Sequence, residues 1–243
     1  MKYKKTAKGS IAYCQHTPSS IEPSWFGADF WREQSAITGS SKGRYTTWFV
    51  DASSIDEGQN QWVLRHYYRG GLIEKISRDQ YLFTGLEKTR AVAELALLET
   101  LFEQGFAVPK PIAANVERSG LFYRADLIIE RVEGAEDLVA RLSKSAMPDE
   151  QWQTLGETIA QFHNHGVYHA DLNAKNILIC ADKFYLIDFD RGELRQSNCQ
   201  WQQANMSRLL RSFRKELGKL PSLAFSEDNW QQLHQGYLAK LNQ

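Results

Sequence analysis

The chain of 243 residues is long enough for one large domain or two small ones, each with a buried core. Hydrophobic residues make up 42% and charged residues 24%, a soluble globular balance that excludes a disordered chain, a collagen-like repeat and a disulfide miniprotein. Lys plus Arg total 29 and Asp plus Glu total 29, so no net field draws the whole molecule to nucleic acid or anionic lipid, and any such pull has to come from local clusters.

The three cysteines, Cys14, Cys180 and Cys199, have no CxxC spacing, which points to free thiols in a reducing compartment rather than a zinc site or disulfide framework. No apolar run approaches the ~20 residues of a bilayer span. The basic start from Met1 to Lys5 is followed by no apolar stretch, so neither a transmembrane segment nor a signal peptide is expected. This places the protein in the cytosol, or on a membrane face that it touches peripherally.

In chain order, the first forty residues read as irregular, with scattered aromatics at Trp25, Phe26, Phe30 and Trp31. Tyr45 to Asp51 and Gln61 to Tyr68 are strand candidates joined by the turn-forming SSIDEGQN, which predicts a hairpin. Val92, Leu95, Leu98 and Phe102 recur at helical spacing from about Lys88 to Gln104, and Gly105, Pro109 and Pro111 stop that helix. A further pair of strands is expected between Leu121 and Val132. Pro148, Asp149 and Glu150 then open a helix whose stripe is Trp152, Leu155, Ile159 and Phe162, ended by Gly166. NILIC and FYLID flank Ala181 to Lys183 as a tight hairpin, and a last, basic helix is expected from about Asn205 to Leu217. The order predicts an α+β protein, strand-rich at first and helical after about residue 132.

The chemistry concentrates in two segments: His169-Ala-Asp171-Leu-Asn-Ala-Lys175-Asn176, and Leu186-Ile-Asp188-Phe189-Asp190. The first is a loop between a helix and a strand, carrying a carboxylate and then an amide; the second places a carboxylate at the end of an apolar strand. Phosphoryl transfer needs such groups: one carboxylate to orient the attacking hydroxyl, and oxygen ligands to hold magnesium on the phosphates. Each of these residues alone would read as a turn or strand-end cap, but their order and spacing together favour chemistry.

HADLNAKN resembles the catalytic loop of the protein-kinase-like fold, and DFD resembles its DFG, with Asp190 in place of the glycine. The resemblance implies an antiparallel-sheet N-lobe over 1–132, with an N-terminal extension and the nucleotide site. It also implies a shortened, mainly helical C-lobe over 133–243, with the catalytic loop and the acceptor site. On it, Asp171 is the catalytic base or hydroxyl-orienting residue, Lys175 reaches the transferred phosphoryl or the acceptor, Asn176 and Asp188 are metal ligands, and His169 braces the loop. Gly39 to Val50 fits loosely as the phosphate-covering loop: with Gly43 as first glycine, Val50 falls where the motif's valine belongs, while Tyr45 and Trp48 replace the later glycines. Gly39, Lys42, Gly43 and Arg44 are the candidate phosphate contacts there. Arg65 stands in place of the strand lysine, with His66 pointing to the other side, and Glu94 is its expected ion-pair partner in preference to Glu99. Glu130 to Val132 resembles the hinge that meets adenine through its backbone. ATP and Mg2+ are the implied cofactors.

The segment after Asp188 is brief and contains no A-P-E, which favours a small-molecule or glycolipid kinase over a protein kinase. RHYYRGG and DFDRGELR, with the spacer LFEQGFAVPKPIAA, are similar to the bacterial lipopolysaccharide kinases over about residues 37 to 217. That resemblance implies, as acceptor, the 3-deoxy-D-manno-octulosonic acid (Kdo) sugar of Kdo-lipid IVA, phosphorylated at its 4-hydroxyl on the cytoplasmic face of the bacterial inner membrane. An anionic acceptor calls for cations near Asp171, and Lys175, Arg191 and Arg195 are in range by sequence. Arg208, Arg211, Arg214, Lys215 and Lys219, with Lys2, Lys4, Lys5 and Lys8, read either as solvated surface or as a peripheral grip on an anionic membrane. No nucleic acid and no obligate protein partner are expected. The rival readings are a kinase for another core sugar such as heptose or for a small molecule, a catalytically dead kinase-like binding module favoured by the missing glycines, and a protein kinase.

Overall fold

The computed structural model describes residues 1–42, 46–56, 61–69, 79–241 and 243, and their packing separates two units. The first is Met1–Gln104 with Pro109–Arg131; the second is Gly105–Val108 with Val132–Gln243.

The first unit contains β1 (Lys2–Lys5), β2 (Gly9–Tyr13), α1 (Ala28–Glu33), β3 (Ile37–Lys42), β4 (Thr46–Asp51), β5 (Gln61–His66), β6 (Tyr81–Leu82), α2 (Arg90–Glu103), β7 (Pro111–Ser119) and β8 (Phe122–Glu130). Its antiparallel sheet runs β1-β2-β7-β8-β5-β4-β3, with β6 also paired to β8. Period-two alternation in β5 turns Trp62 and Leu64 into the core. The predicted hairpin is β4 and β5, with Trp48 opposite Leu64 and Val50 opposite Trp62.

Three expectations need correction here. The first forty residues are not irregular: β1 and β2 form a hairpin that extends the sheet through β7. The scattered aromatics form one cluster with the sheet, where the Trp25 and Trp31 rings lie 5.9 and 5.8 Å from that of Trp62, and Trp31 Nε1 donates to the Trp25 carbonyl. Leu121 to Val132 holds one strand, not a pair, because its partner is β7, which begins at Pro111, the residue read as a helix stop. In α2, Leu101 is buried and Phe102 exposed, so the stripe is Val92, Leu95, Leu98 and Leu101.

The second unit contains β9 (Glu136–Asp137), α3 (Leu138–Lys144), α4 (Asp149–Asn164), β10 (Val167–Tyr168), β11 (Ile177–Cys180), β12 (Lys183–Leu186), β13 (Glu193–Leu194), α5 (Cys199–Lys219) and α6 (Glu227–Lys240). The hairpin β11–β12 closes through Ala181, at φ +50°. The basic helix α5 is longer than expected and is not the last, since α6 follows it behind a capping box at Ser226 and Asn229. Close packing of α4 on α6 depends on two glycines. A Cβ on Gly156 would lie 1.9 Å from the Leu233 carbonyl oxygen, and one on Gly236 would lie 2.1 Å from that of Gln153. The stripe of α4 packs on α5 through Trp152, whose ring is 5.6 Å from Phe213.

Candidate active site

In the second unit, the β10 strand delivers the chain into the loop His169–Asn176. His169 is 2% exposed, and its two ring nitrogens face different partners. Nδ1 accepts from the Asp171 amide at 3.2 Å, which leaves Nε2 to donate to the Ile187 carbonyl at 3.0 Å. These bonds define one neutral tautomer, and burial holds the ring's pKa below its ordinary value. The imidazole thus ties the amide of Asp171 to the residue just before Asp188.

Asn173 organises the next turn. Its side-chain Oδ1 caps the 3-10 turn Ala174–Asn176 by accepting from the amides of Lys175 and Asn176, while its Nδ2 donates to the Asp171 carbonyl and, at 3.2 Å, to Asp171 Oδ2. Asn176 Nδ2 also donates to the Asp171 carbonyl, at 3.0 Å. That bond orients the Asn176 amide and leaves Oδ1 as its acceptor atom. The Ile187 amide donates to the Asn176 carbonyl at 3.0 Å, so Asn176 and Asp188 are linked through one backbone bond.

Asp188 sits at φ +63°, a left-handed conformation uncommon for a non-glycine residue and concentrated at functional sites. Phe189 is fully buried, its ring 4.8 Å from that of His169 and 6.1 Å from that of Phe162. Asp190, which stands where kinases carry glycine, needs no positive φ; the next left-handed residue is Arg191, at φ +58°. The exchange of glycine for aspartate therefore meets no left-handed backbone requirement at this position.

The helix α5 runs along the loop. Asn205 Oδ1 accepts from the His169 amide and its Nδ2 donates to the His169 carbonyl. Arg208 Nη1 lies 3.2 Å from Asp171 Oδ1. The Ser212 hydroxyl accepts from the Ala174 amide, and Lys175 Nζ is 3.5 Å from Glu216. Lys219 and then Lys175 beside Glu216 hold its carboxyl below the usual value. Sequence reasoning missed Asn173 and Asn205 and assigned Arg208 to a surface face. A signal was present for α5, since Asn205, Arg208, Ser212 and Glu216 recur at helical spacing.

Arg195 Nε and Nη2 engage Glu193, and its guanidinium lies 3.5 Å from the Tyr168 ring centroid. Arg191 is exposed, with no bond to the loop among the described residues.

In the first unit, Arg65 on β5 and Glu94 on α2 form an ion pair, and the Tyr67 hydroxyl joins it, accepting from Arg65 Nη2 at 2.8 Å and donating to Glu94 Oε2. The Glu94 side chain is 1% exposed and that of Arg65 20%. Burial pushes the Tyr67 phenol well above its ordinary range, so it stays a donor. Tyr67 was not singled out in the sequence, although it follows Arg65 by two and so shares its face of the strand. His66 faces the other way, bonded to Asp126 and near Asp79. The competitor Glu99 pairs with the Met1 amine instead.

Gly39 is in β3, where a Cβ would just touch Phe49. Lys42 ends β3 opposite Thr46, while Gly43, Arg44 and Tyr45 lie outside the described residues, as do Gly70 and Gly71 of RHYYRGG. The Glu130 amide donates to the Lys110 carbonyl and that of Arg131 to Gln61, so both are engaged within the sheet, and the Val132 carbonyl accepts from Ala135. Among the described residues no cluster of three or more His, Cys, Asp or Glu forms a cation cage. Asn176 and Asp188 offer two hard oxygen donors, the set that suits Mg2+ shared with substrate phosphates.

Among solved structures, WaaP in complex with acyl carrier protein matches with a TM-score of 0.57 at 12% identity, over 94% of this chain and 88% of that chain, so the two share a fold. The model of the lipopolysaccharide kinase (Kdo/WaaP) family matches residues 28–237. The chain belongs to that family. Fold and family together define a phosphotransferase of the kinase class. Relatives named 3-deoxy-D-manno-octulosonic acid kinase include those of Photobacterium profundum, 46% identical over 87% of each chain, and Mannheimia succiniciproducens, 47% identical over 88% of this chain and 89% of that one. The relative from Vibrio parahaemolyticus is 48% identical over 80% of this chain and 79% of its own.

Proposed function

We propose that the protein transfers the γ-phosphoryl group of ATP to the 4-hydroxyl of the Kdo sugar of Kdo-lipid IVA, in lipopolysaccharide inner-core biosynthesis. The names of the relatives support the Kdo sugar as acceptor. The observation that carries the chemistry is the Asp171 carboxylate, 55% exposed, yet held from two sides by Asn173 and Arg208. A carboxylate so fixed accepts the proton of an incoming hydroxyl. The hydroxyl oxygen forms its bond to the γ-phosphorus as the bond to the β–γ bridging oxygen breaks, and ADP leaves with that electron pair. Arg65, oriented by Glu94 and Tyr67, is the candidate contact of the ATP phosphates. Asn176 and Asp188 are the candidate ligands of Mg2+, which when bound neutralises the charge that develops on the phosphates. Lys175, in the turn that Asn173 caps and with its Nζ 3.5 Å from Glu216, is the candidate contact of the transferred group once it leaves that carboxylate.

A lipid acceptor asks for peripheral contact with the cytoplasmic face of the inner membrane. Among the described residues no helix is long and apolar enough to cross a membrane. Arg208, Arg214 and Lys219 of α5 are paired, to Asp171, Glu227 and Glu216, so the expected grip rests on the exposed Arg211 and Lys215 with Lys2, Lys5 and Lys8.

The test is radiolabelled ATP with Kdo-lipid IVA, beside lipid A lacking Kdo. Label is expected in the Kdo acceptor alone, and Asp171→Ala is expected to lose transfer by about 10²- to 10⁴-fold while retaining ATP binding. Label in both acceptors, or phosphate on a heptose instead, rejects the acceptor; near-parental transfer by Asp171→Ala rejects the site.

A further inference from the structure

We propose that Arg208 is the residue that recognises the acceptor's carboxylate, and that it selects a sugar acid over a neutral sugar. The proposal rests on the functional reading above. Four residues of α5 follow the loop: Asn205 to His169, Arg208 to Asp171, Ser212 to Ala174 and Glu216 to Lys175. Three of these contacts hold backbone groups or a lysine. Arg208 alone reaches the carboxylate that receives the acceptor hydroxyl.

The guanidinium carries five N–H donors in a planar fork. Among the described residues its one side-chain partner is Asp171, through Nη1, and the Arg208 side chain is 46% exposed. The donors not used by Asp171 match the two-point geometry of a second carboxylate. A hydroxyl bound to Asp171 and a carboxylate bound to Arg208 must then belong to one small molecule with the two groups close together. A compact sugar acid meets that demand and a neutral hexose does not. The other cations of this unit are placed differently: Arg195 is fixed against Glu193 and Tyr168, and Lys175 faces Glu216.

The experiment compares Kdo-lipid IVA with its C1 methyl ester as acceptors for the parent, Arg208→Ala and Arg208→Lys. The parent is expected to show a KM roughly 10- to 100-fold lower for the acid than for the ester, the range of a charge-assisted pair. Arg208→Ala is expected to lose that preference with KM for ATP unchanged, and Arg208→Lys, which keeps charge but not the fork, to retain part of it. A preference that survives in Arg208→Ala overturns the proposal. Because Arg208 also holds Asp171, kcat is expected to fall alike on both acceptors; such a loss with the KM preference for the acid unchanged overturns the carboxylate role and leaves Arg208 a brace for Asp171. A parent that turns over both acceptors equally refutes the carboxylate role while leaving the functional reading intact. A parent that phosphorylates neither refutes both. Circular-dichroism melting of each variant establishes that the comparison is made on folded protein.

Discussion

Asn205 holds His169 by both backbone groups, accepting from its amide at 3.3 Å and donating to its carbonyl at 3.0 Å. Both residues are 2% exposed, so bulk solvent does not reach these groups in the folded protein. Asn205→Ala leaves two buried backbone groups unpaired, at a cost of about 1–3 kcal/mol each. The loop that carries Asp171 is then free to shift, and a displacement of about 1 Å is enough to lower turnover ~100-fold. Expected outcomes are a lower urea midpoint, kcat reduced by about that factor and an unchanged KM for ATP. Unchanged kcat would show that the loop holds its place without α5.

Glu94 offers a second test. Its carboxylate is almost fully buried and receives both Arg65 and the Tyr67 hydroxyl. Removing one partner of a buried pair costs about 3–5 kcal/mol, because the other charge stays desolvated. Glu94→Ala is expected to lose that much stability in denaturant titrations and to bind ATP weakly. Tyr67→Phe removes one hydrogen bond and is expected to cost about 1 kcal/mol with a smaller effect on ATP. An equal loss in the two variants would mean that the hydroxyl, not the ion pair, orients Arg65.

The parts of this protein that could be read in sequence are those whose chemistry is local. HADLNAKN and LIDFD carry their groups within a few residues, and the two-residue alternation of a strand put Arg65 and His66 on opposite faces. What escaped depends on residues distant in the chain. The β7 strand was hidden because Pro111 looked like a stop, yet as the first residue of its strand it loses no ladder bond within the strand interior. The α6 helix was hidden because glycine at 236 breaks its apolar stripe, although Ser226 and Asn229 spell a capping box. Asn205 and Arg208 read as ordinary helix-surface residues until the loop they touch is placed beside them.

That same Gly236, with Gly156, permits a third prediction. Either glycine replaced by alanine forces a methyl into a backbone carbonyl about 2 Å away, a contact that no rotamer relieves. Overpacking of this kind typically costs 1–3 kcal/mol, and here the backbone itself has to move, so Gly156→Ala is expected at about 3 kcal/mol or above. The gain in helix propensity, about 1 kcal/mol, opposes this and does not offset it. Thermal unfolding of Gly156→Ala is the measurement, with Gly218→Ala as the control, since a Cβ there meets nothing within 4 Å and the change is expected to stabilise. A stabilised Gly156→Ala would disprove the close approach of α4 and α6.

The last prediction concerns acid. His163 is 2% exposed, its Nδ1 2.8 Å from the Tyr237 hydroxyl, with the Trp201 ring against it at 5.1 Å. Burial lowers its pKa from 6.5 to about 4, and His169 is moved in the same direction by the same cause. Burial also pushes the Tyr237 phenol up to about 12, so it stays protonated throughout this range. Below pH 6.5 the unfolded chain therefore binds protons at these histidines that the folded protein does not, and their contribution to stability falls as pH drops from about 6.5 toward 4. His66, whose burial lowers its pKa but whose neighbours Asp126 and Asp79 outweigh that and raise it, has the opposite sign, adding stability as pH falls toward 6.5 and none further below it. For His163 the full loss is on the order of 3 kcal/mol, since each tenfold change in proton affinity is worth about 1.4 kcal/mol. The lowered carboxyls of Glu216 and Glu227 start from an ordinary value of 4.5, so they act at the acid end of this window and below it. Urea titrations between pH 6.5 and 5 are expected to show a midpoint that declines with acid, and His163→Gln, which carries no titrating ring, is expected to decline less steeply. Parallel curves for the two proteins would show that His163 gains its proton in the folded state as readily as in the unfolded chain.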